Sequence, residues 1–234
     1  MKDTVLTNQK IRFASYNIFH GGHAEYDMSK MAKNILDNEI DIVGLQEVDR
    51  GVERSNGIDI LKELSFATGY QYYSFFKTID LNGGEYGIAV LSRYPIVSSD
   101  KLLLDAGNYE KRALGFTEID IGGRIISFLV THLSFRSSKA REEQLVRVSE
   151  ELAKKEDFVL AGDFNSSDLG ALDLMDCVGR INKKEDLTVT FPDGQLAIDN
   201  ILYSKKHWSF GNINVVENSY SDHYMIWAEA EFKE

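Results

Sequence analysis

The chain is expected to fold as an α/β (α+β) protein in which largely antiparallel β-sheets are covered by helices. Three observations predict this. Short runs rich in Val, Ile, Phe and Tyr outnumber helical stripes. Glycine-rich turns join several of these runs, as hairpins require. Only two prolines occur and no Gly/Ser tract divides the 234 residues, so 1–234 is expected to form a single domain.

The first strand is expected at 11–17. A helix follows Asp27, a suitable cap, because Met28, Met31, Ala32, Ile35 and Leu36 recur at helical spacing. A strand at 41–46 precedes a second helix carrying Ile60, Leu61, Leu64 and Ala67, with Gly69 at its end. Strands at 71–77 and 86–92 flank the turn Asp80–Gly84, and strands at 97–103, 113–120 and 124–132 follow, the last two joined by Gly122-Gly123. Leu145, Val148 and Leu152 mark a helix in the charged segment 139–155. Beyond a strand at 157–162, Leu169, Leu172 and Met175 suggest a short helix after Ser167. Strands at 187–190, 197–203, 212–216 and 224–232 complete the chain.

Composition excludes several classes. Lys plus Arg is 26 and Asp plus Glu is 37, a net charge of −11, which argues against a broad basic surface for duplex nucleic acid or anionic lipid. A hydrophobic content of 43% excludes disorder. The single cysteine, Cys177, excludes a disulfide framework and multi-cysteine zinc sites, and is expected to be a small buried residue. His207, beside Trp208, reads as structural. The polar start MKDTVLTNQK has no apolar leader core, and no run is long enough to span a membrane. A cytoplasmic protein is therefore expected.

Several apolar strands end on a metal- or phosphate-type residue. These are Asn17, Glu47, His132 and Asp163 with Asn165, while Asp199 begins a strand and Asp222-His223 precedes the last one. Rigid strand ends are where a scaffold presents reactive groups. This oxygen-rich set suits Mg²⁺ or Mn²⁺, with imidazoles left for phosphate or proton work. No P-loop, dinucleotide fingerprint, nucleophile elbow or H-E-x-x-H is present.

The motifs SYNIFHGG, LQEVDRG, GGEYGIAVLSRYPI, KRALGFTEI, THLSFRSSKAREEQL, LAGDFNSSD, TFPDG with AIDNILYS, and SDHYMIWAEA run from Ile11 to Phe232. In order and spacing the chain resembles the endonuclease/exonuclease/phosphatase superfamily, above all its small bacterial hydrolases. The resemblance implies a four-layer sandwich: two mixed, largely antiparallel sheets face to face, helices outside, and the site at one end.

It also implies roles. Glu47 would be the principal ligand of Mg²⁺ or Mn²⁺, with Asn17 and Asp222 completing the metal neighbourhood. Asp163 would orient the attacking water and Asn165 would donate to phosphate, both side chains projecting from one side of an extended segment. His223, oriented by Asp199, and His132 would straddle the phosphoryl group as a positively charged pair. Tyr86, Arg112 and His20 are further substrate-binding candidates. Asn200 and Met225 depart from the common pattern and are expected at the pocket rim.

The expected function is metal-dependent hydrolysis of a phosphodiester or phosphomonoester by in-line water attack, on a small-molecule or lipid-like substrate. The alternative is a DNA or RNA nuclease of the same superfamily, and the third reading is a catalytically silent binding protein. No long heptad or exposed apolar strip speaks for a dimer, so a monomer is expected.

Overall fold

The computed structural model describes residues 10–233; the polar stretch read for a leader lies largely outside them. The strands are β1 (Lys10–Asn17), β2 (Ile42–Arg50), β3 (Tyr72–Leu81), β4 (Gly84–Ser92), β5 (Ile96–Leu104), β6 (Arg112–Ile121) and β7 (Arg124–His132). They continue with β8 (Val159–Asp163), β9 (Val178–Arg180), β10 (Asp199–Ser204), β11 (Trp208–Phe210), β12 (Asn214–Val216) and β13 (Met225–Phe232). The helices are α1 (Met28–Asp37), α2 (Ile60–Thr68) and α3 (Ser138–Leu152).

Each helix starts where a short polar side chain caps it. Asp27 accepts from Ser29 N, Asp59 from Lys62 N, and Ser137 from Ala140 N. Gly69, at φ +76°, ends α2 in the left-handed conformation that lacks a Cβ penalty. Two-residue turns join β3 to β4 and β6 to β7; both residues of each, Asn82-Gly83 and Gly122-Gly123, have positive φ.

The strands form two sheets. The seven-stranded sheet has the order β11-β13-β1-β2-β4-β3, with β12 also on β13, and the six-stranded sheet has the order β5-β6-β7-β8-β10-β9. One core lies between the sheets, where Phe13 stacks on Phe128 at 5.8 Å and meets Trp208 edge-on at 5.3 Å. A second core joins α1 and α2 to the first sheet, and a third joins α3 to the second. The result is the expected four-layer sandwich. The sheets approach so closely at Gly44 that a Cβ there would lie 2.9 Å from the Ala161 methyl.

Some expectations fail for local reasons. Residues 187–190 form no strand, because the Thr188 backbone pairs with a side chain while that of Thr190 pairs with two different segments, through Leu196 O and Tyr224 N. Asn182 pairs with both Thr188 N and Thr188 O, and Thr190 Oγ1 accepts from Ile198 N and Asp199 N. The helix after Ser167 shrinks to the 3-10 turn Gly170–Leu172, with Gly170 left-handed at its start. The short strands β9 and β11 carry too few residues to show an alternation. Cys177 is exposed rather than buried, since the chain there runs over the surface towards an edge strand. Met225 sits in the core against α1, and Asn200 is buried in a paired bond set with the Asn182 backbone; neither reaches the pocket rim.

Candidate active site

In each sheet one central pair is parallel: β1 with β2, and β7 with β8. A parallel pair needs a long crossover, and α1 and α3 supply these. Both strands of a pair then end on the same side, which is where open sheets collect ligand-binding residues. Asn17 ends β1, His132 ends β7 and Asp163 ends β8; His132 and Asp199 are both in register with Asp163. Glu47 lies where the β2–β4 register shifts between Leu45 and Val48, and its φ of +57° marks a bulge that re-aims the side chain.

Asp163 is the focus of the arrangement. Its Oδ2 lies 3.1 Å from Asn17 Nδ2, 3.4 Å from His132 Nε2 and 3.7 Å from His223 Nε2. The first of these contacts joins one sheet to the other. Its Oδ1 accepts from Asn165 N at 2.9 Å. Burial and the neighbouring Asp199 charge push the Asp163 carboxyl up to about 7, against the opposing pull of His223 and two hydrogen bonds.

His223 Nδ1 meets Asp199 Oδ2 at 2.9 Å. Burial disfavours the charged ring, but Asp199 and Asp163 overcome it and raise His223 to about 10. The imidazolium is further held by Phe191, whose ring centroid is 4.9 Å away. Asp163, Asp199 and His223 bring ligand-type atoms within 4.8 Å of one another. With His223 protonated the two carboxylates are the oxygen donors of this group, and the ring would ligate a metal only after losing its proton.

His132 differs from its expected charge. Arg112 Nη1 lies 3.2 Å from His132 Nδ1, and a guanidinium only donates, so Nδ1 accepts and the ring proton sits on Nε2, facing Asp163. Burial, then Arg112 and His223, hold the His132 pKa well below its ordinary value. The charged pair straddling the centre is therefore His223 and Arg112, not two histidines. Arg112 is buried and is also paired to Glu110 at 2.7 Å.

Asn165 also departs from expectation. The strand ends at Asp163 and Asn165 is left-handed at φ +52°, so the two side chains do not alternate along an extended segment. Its Nδ2 donates to Leu133 O at 3.1 Å, which commits one of its two amide hydrogens.

Glu47, Asn17 and Asp222 lie at the opposite flank. Asn17 Nδ2 is 3.3 Å from Glu47 Oε1, and Asn17 Oδ1 accepts from Phe19 N. Burial raises the Glu47 carboxyl, and the Asp222 charge raises it further, while the Asn17 hydrogen bond lowers it. Two carboxylates close enough to repel, with no thiol beside them, fit a hard divalent cation, and Asn17 turns its amide nitrogen, not its oxygen, towards Glu47. Ser221 supports this corner by donating to Asn17 O at 2.7 Å.

Tyr86 is buried on β4, where burial and then Glu47 hold its hydroxyl protonated. His20 is half-buried in a turn whose residues Phe19 and His20 are both left-handed; burial, then Arg54, lowers its pKa. Arg54 is a site-adjacent residue that sequence reasoning missed. It forks onto the buried Asp49 at 2.8 and 2.9 Å and covers the Tyr86 ring at 5.4 Å. The only signal for it was its place shortly after LQEVDRG.

The fold and this cluster of polar strand ends define a class, the sandwich-fold phosphoesterases. The chain belongs to the Endonuclease/Exonuclease/phosphatase family, whose family model matches residues 14–223. No curated protein matches the chain significantly by sequence. Among solved structures, an endonuclease/exonuclease/phosphatase from Beutenbergia cavernae DSM 12333 superposes with a TM-score of 0.79 at 22% identity, covering 96% of this chain and 72% of that one. The human Nocturnin catalytic domain, with a bound sulfate, gives 0.74 at 21% identity over 96% of this chain and 95% of that one. A mannosyl-6-phosphatase of Bacteroides thetaiotaomicron VPI-5482 gives 0.70 at 17% identity over 95% of this chain and 100% of that one. At these identities the likeness is one of fold. Among the described residues, no helix is long and apolar enough to cross a membrane.

Proposed function

We propose that this chain is a divalent-metal-dependent phosphoester hydrolase acting by in-line water attack on a small or lipid-like phosphomonoester or phosphodiester. The observation that carries this reading is the convergence of three nitrogen donors, from Asn17, His132 and His223, on Asp163 Oδ2. Asp163 orients the water and takes its proton as the oxygen–phosphorus bond forms; a carboxyl raised to about 7 is an effective base near neutrality. His223, charged and aligned by Asp199, donates to the phosphoryl oxygens and returns a proton to the leaving oxygen as the ester bond breaks. His132 donates through Nε2, and Arg112 fixes that tautomer. Tyr86, Asn165 and His20 bind substrate. Glu47, Asn17 and Asp222 would hold Mg²⁺ or Mn²⁺, which supplies Lewis-acid stabilisation of charge developing on a phosphoryl oxygen.

The test is hydrolysis of bis-p-nitrophenyl phosphate, p-nitrophenyl phosphate, phospholipid vesicles, RNA and plasmid DNA, each with Mg²⁺, Mn²⁺ or EDTA. Metal-dependent release from the small or lipid esters is expected, with slow action on nucleic acid because the chain carries −11. Rapid plasmid nicking at low enzyme would reverse the substrate ranking, and no hydrolysis in any arm would remove the enzymatic reading.

Asp199→Asn carries a pH signature. The Asp199 carboxylate is the main cause holding His223 protonated to about 10. Without it His223 loses its proton at lower pH, so the alkaline limb of kcat/KM should move down by more than about one pH unit. An unchanged alkaline limb would remove His223 from the proton-bearing role.

A further inference from the structure

Next to the site, the segment after His132 presents an aromatic ring to solvent on an immobilised backbone. Phe135 is 54% exposed. The residues before it are pinned. Leu133 N donates to Asp163 O, Leu133 O accepts from Asn165 Nδ2, and Ser134 N donates to Gln144 Oε1 at 2.9 Å. Arg141 Nη1 donates to Ser134 O at 2.8 Å. Gln144 is itself buried and uses its Nε2 to hold Asp105 O at 2.9 Å. That second bond ties down the neighbouring loop, which carries another exposed aromatic, Tyr109. One buried glutamine thus brackets two loops, each bearing an exposed ring, and that of Phe135 lies against Arg112.

Two guanidiniums lie at Phe135, that of Arg112, paired to Glu110, and that of Arg136. The guanidinium of Arg112, which also reaches His132, lies 5.9 Å from the ring centroid, and that of Arg136 lies 4.8 Å away. Among the described residues Arg136 makes no ion pair. A planar ring placed against Phe135 would gain dispersion and face-to-ring contact, while the unpaired Arg136 guanidinium attracts the phosphate attached to it, and Arg112 adds to that pull less the charge of Glu110.

We propose that Phe135 is a stacking platform for a planar ring carried by the phosphoester substrate, and so a specificity-determining residue of this site. The proposal rests on the phosphoesterase reading above and adds to it the chemistry of the ester group: an aromatic or heteroaromatic ring, either directly on the phosphate or one sugar away. A purely structural Phe135 would instead shield Arg112 and would affect ring-bearing and ring-free ligands alike.

The experiment measures binding by calorimetry with carbon-linked phosphonates, which cannot be hydrolysed, and the Mg²⁺-loaded protein. Phenylphosphonate is compared with ethylphosphonate, and the phosphonate analogue of adenosine 5′-phosphate with that of ribose 5-phosphate. In at least one pair the ring-bearing ligand should bind about tenfold more tightly, the size expected of one stacked ring. Phe135→Ala should cut that advantage to about twofold while leaving the ring-free partner's affinity unchanged, and Phe135→Trp should keep it. The first pair reports a ring directly on phosphorus and the second a base across a sugar. Equal affinities within both pairs, or an advantage that survives Phe135→Ala intact, would overturn the proposal. Ring-selective binding without hydrolysis of any ester in the panel would retain the platform and remove the catalytic reading, so the two failures are distinguishable.

Discussion

Asp163→Asn is expected to lower kcat by about a thousandfold, the scale of a lost general base, and to remove the pH dependence of stability that the raised carboxyl causes. The activity loss follows if the carboxylate takes the water's proton, since the amide keeps its shape and its contact with Asn165 N but accepts no proton. The pH dependence follows from linkage. The folded-state pKa, about 7, lies above the ordinary 3.8, so the group's favourable contribution is complete below about 4 and is lost as pH rises through about 7. The buried charge is therefore a cost that grows towards neutral pH; the amide carries none, but turns its NH2 on the three donors that face Oδ2, a pH-independent cost. The melting temperature of the variant relative to the native protein should rise steadily between pH 4 and 7. Activity within about threefold of native would exclude Asp163 as the base, and a melting difference flat with pH would exclude the raised carboxyl.

Glu47→Gln is expected to abolish metal-dependent hydrolysis and to remove stabilisation by metal. A cation that binds only the folded state adds about 2.7 kcal/mol at a hundredfold excess over its Kd. The native protein should therefore melt several degrees higher in excess Mn²⁺ than in EDTA, and the variant should not. Thermal scans test this independently of turnover. Because burial and Asp222 disfavour the Glu47 charge, the variant without metal should be at least as stable as the native protein. Retained metal stabilisation would move the cation away from Glu47, with Asp163 and Asp199 the next oxygen donors.

Much of the fold was legible because the motif strands carry their signal locally. Ile11–Tyr16 and Phe158–Ala161 read as buried strands, and both end in the residue that matters, Asn17 or Asp163. The helix cap at Asp27 obeys the same local rule. Segments whose hydrogen bonds go to side chains rather than to a strand ladder were opaque. Nothing in Leu187–Thr190 announces that Asn182 and Thr190 will replace a ladder. Arg54 was hidden for the same reason: its partner Asp49 is nearby in sequence, but the Tyr86 ring beneath it arrives from another strand.

What the sequence by itself determined is the inventory: the residues that end strands, their order along the chain, and the family they signify. What only the tertiary structure decided is their charge. His132 and His223 are both buried histidines in register with, or facing, Asp163, and by residue type they are equal. Asp199 stands against one and Arg112 against the other, so one ring is held protonated and the other neutral. A protonation state is set by desolvation and by the charges within a few ångströms, and those neighbours come from strands far apart in the chain.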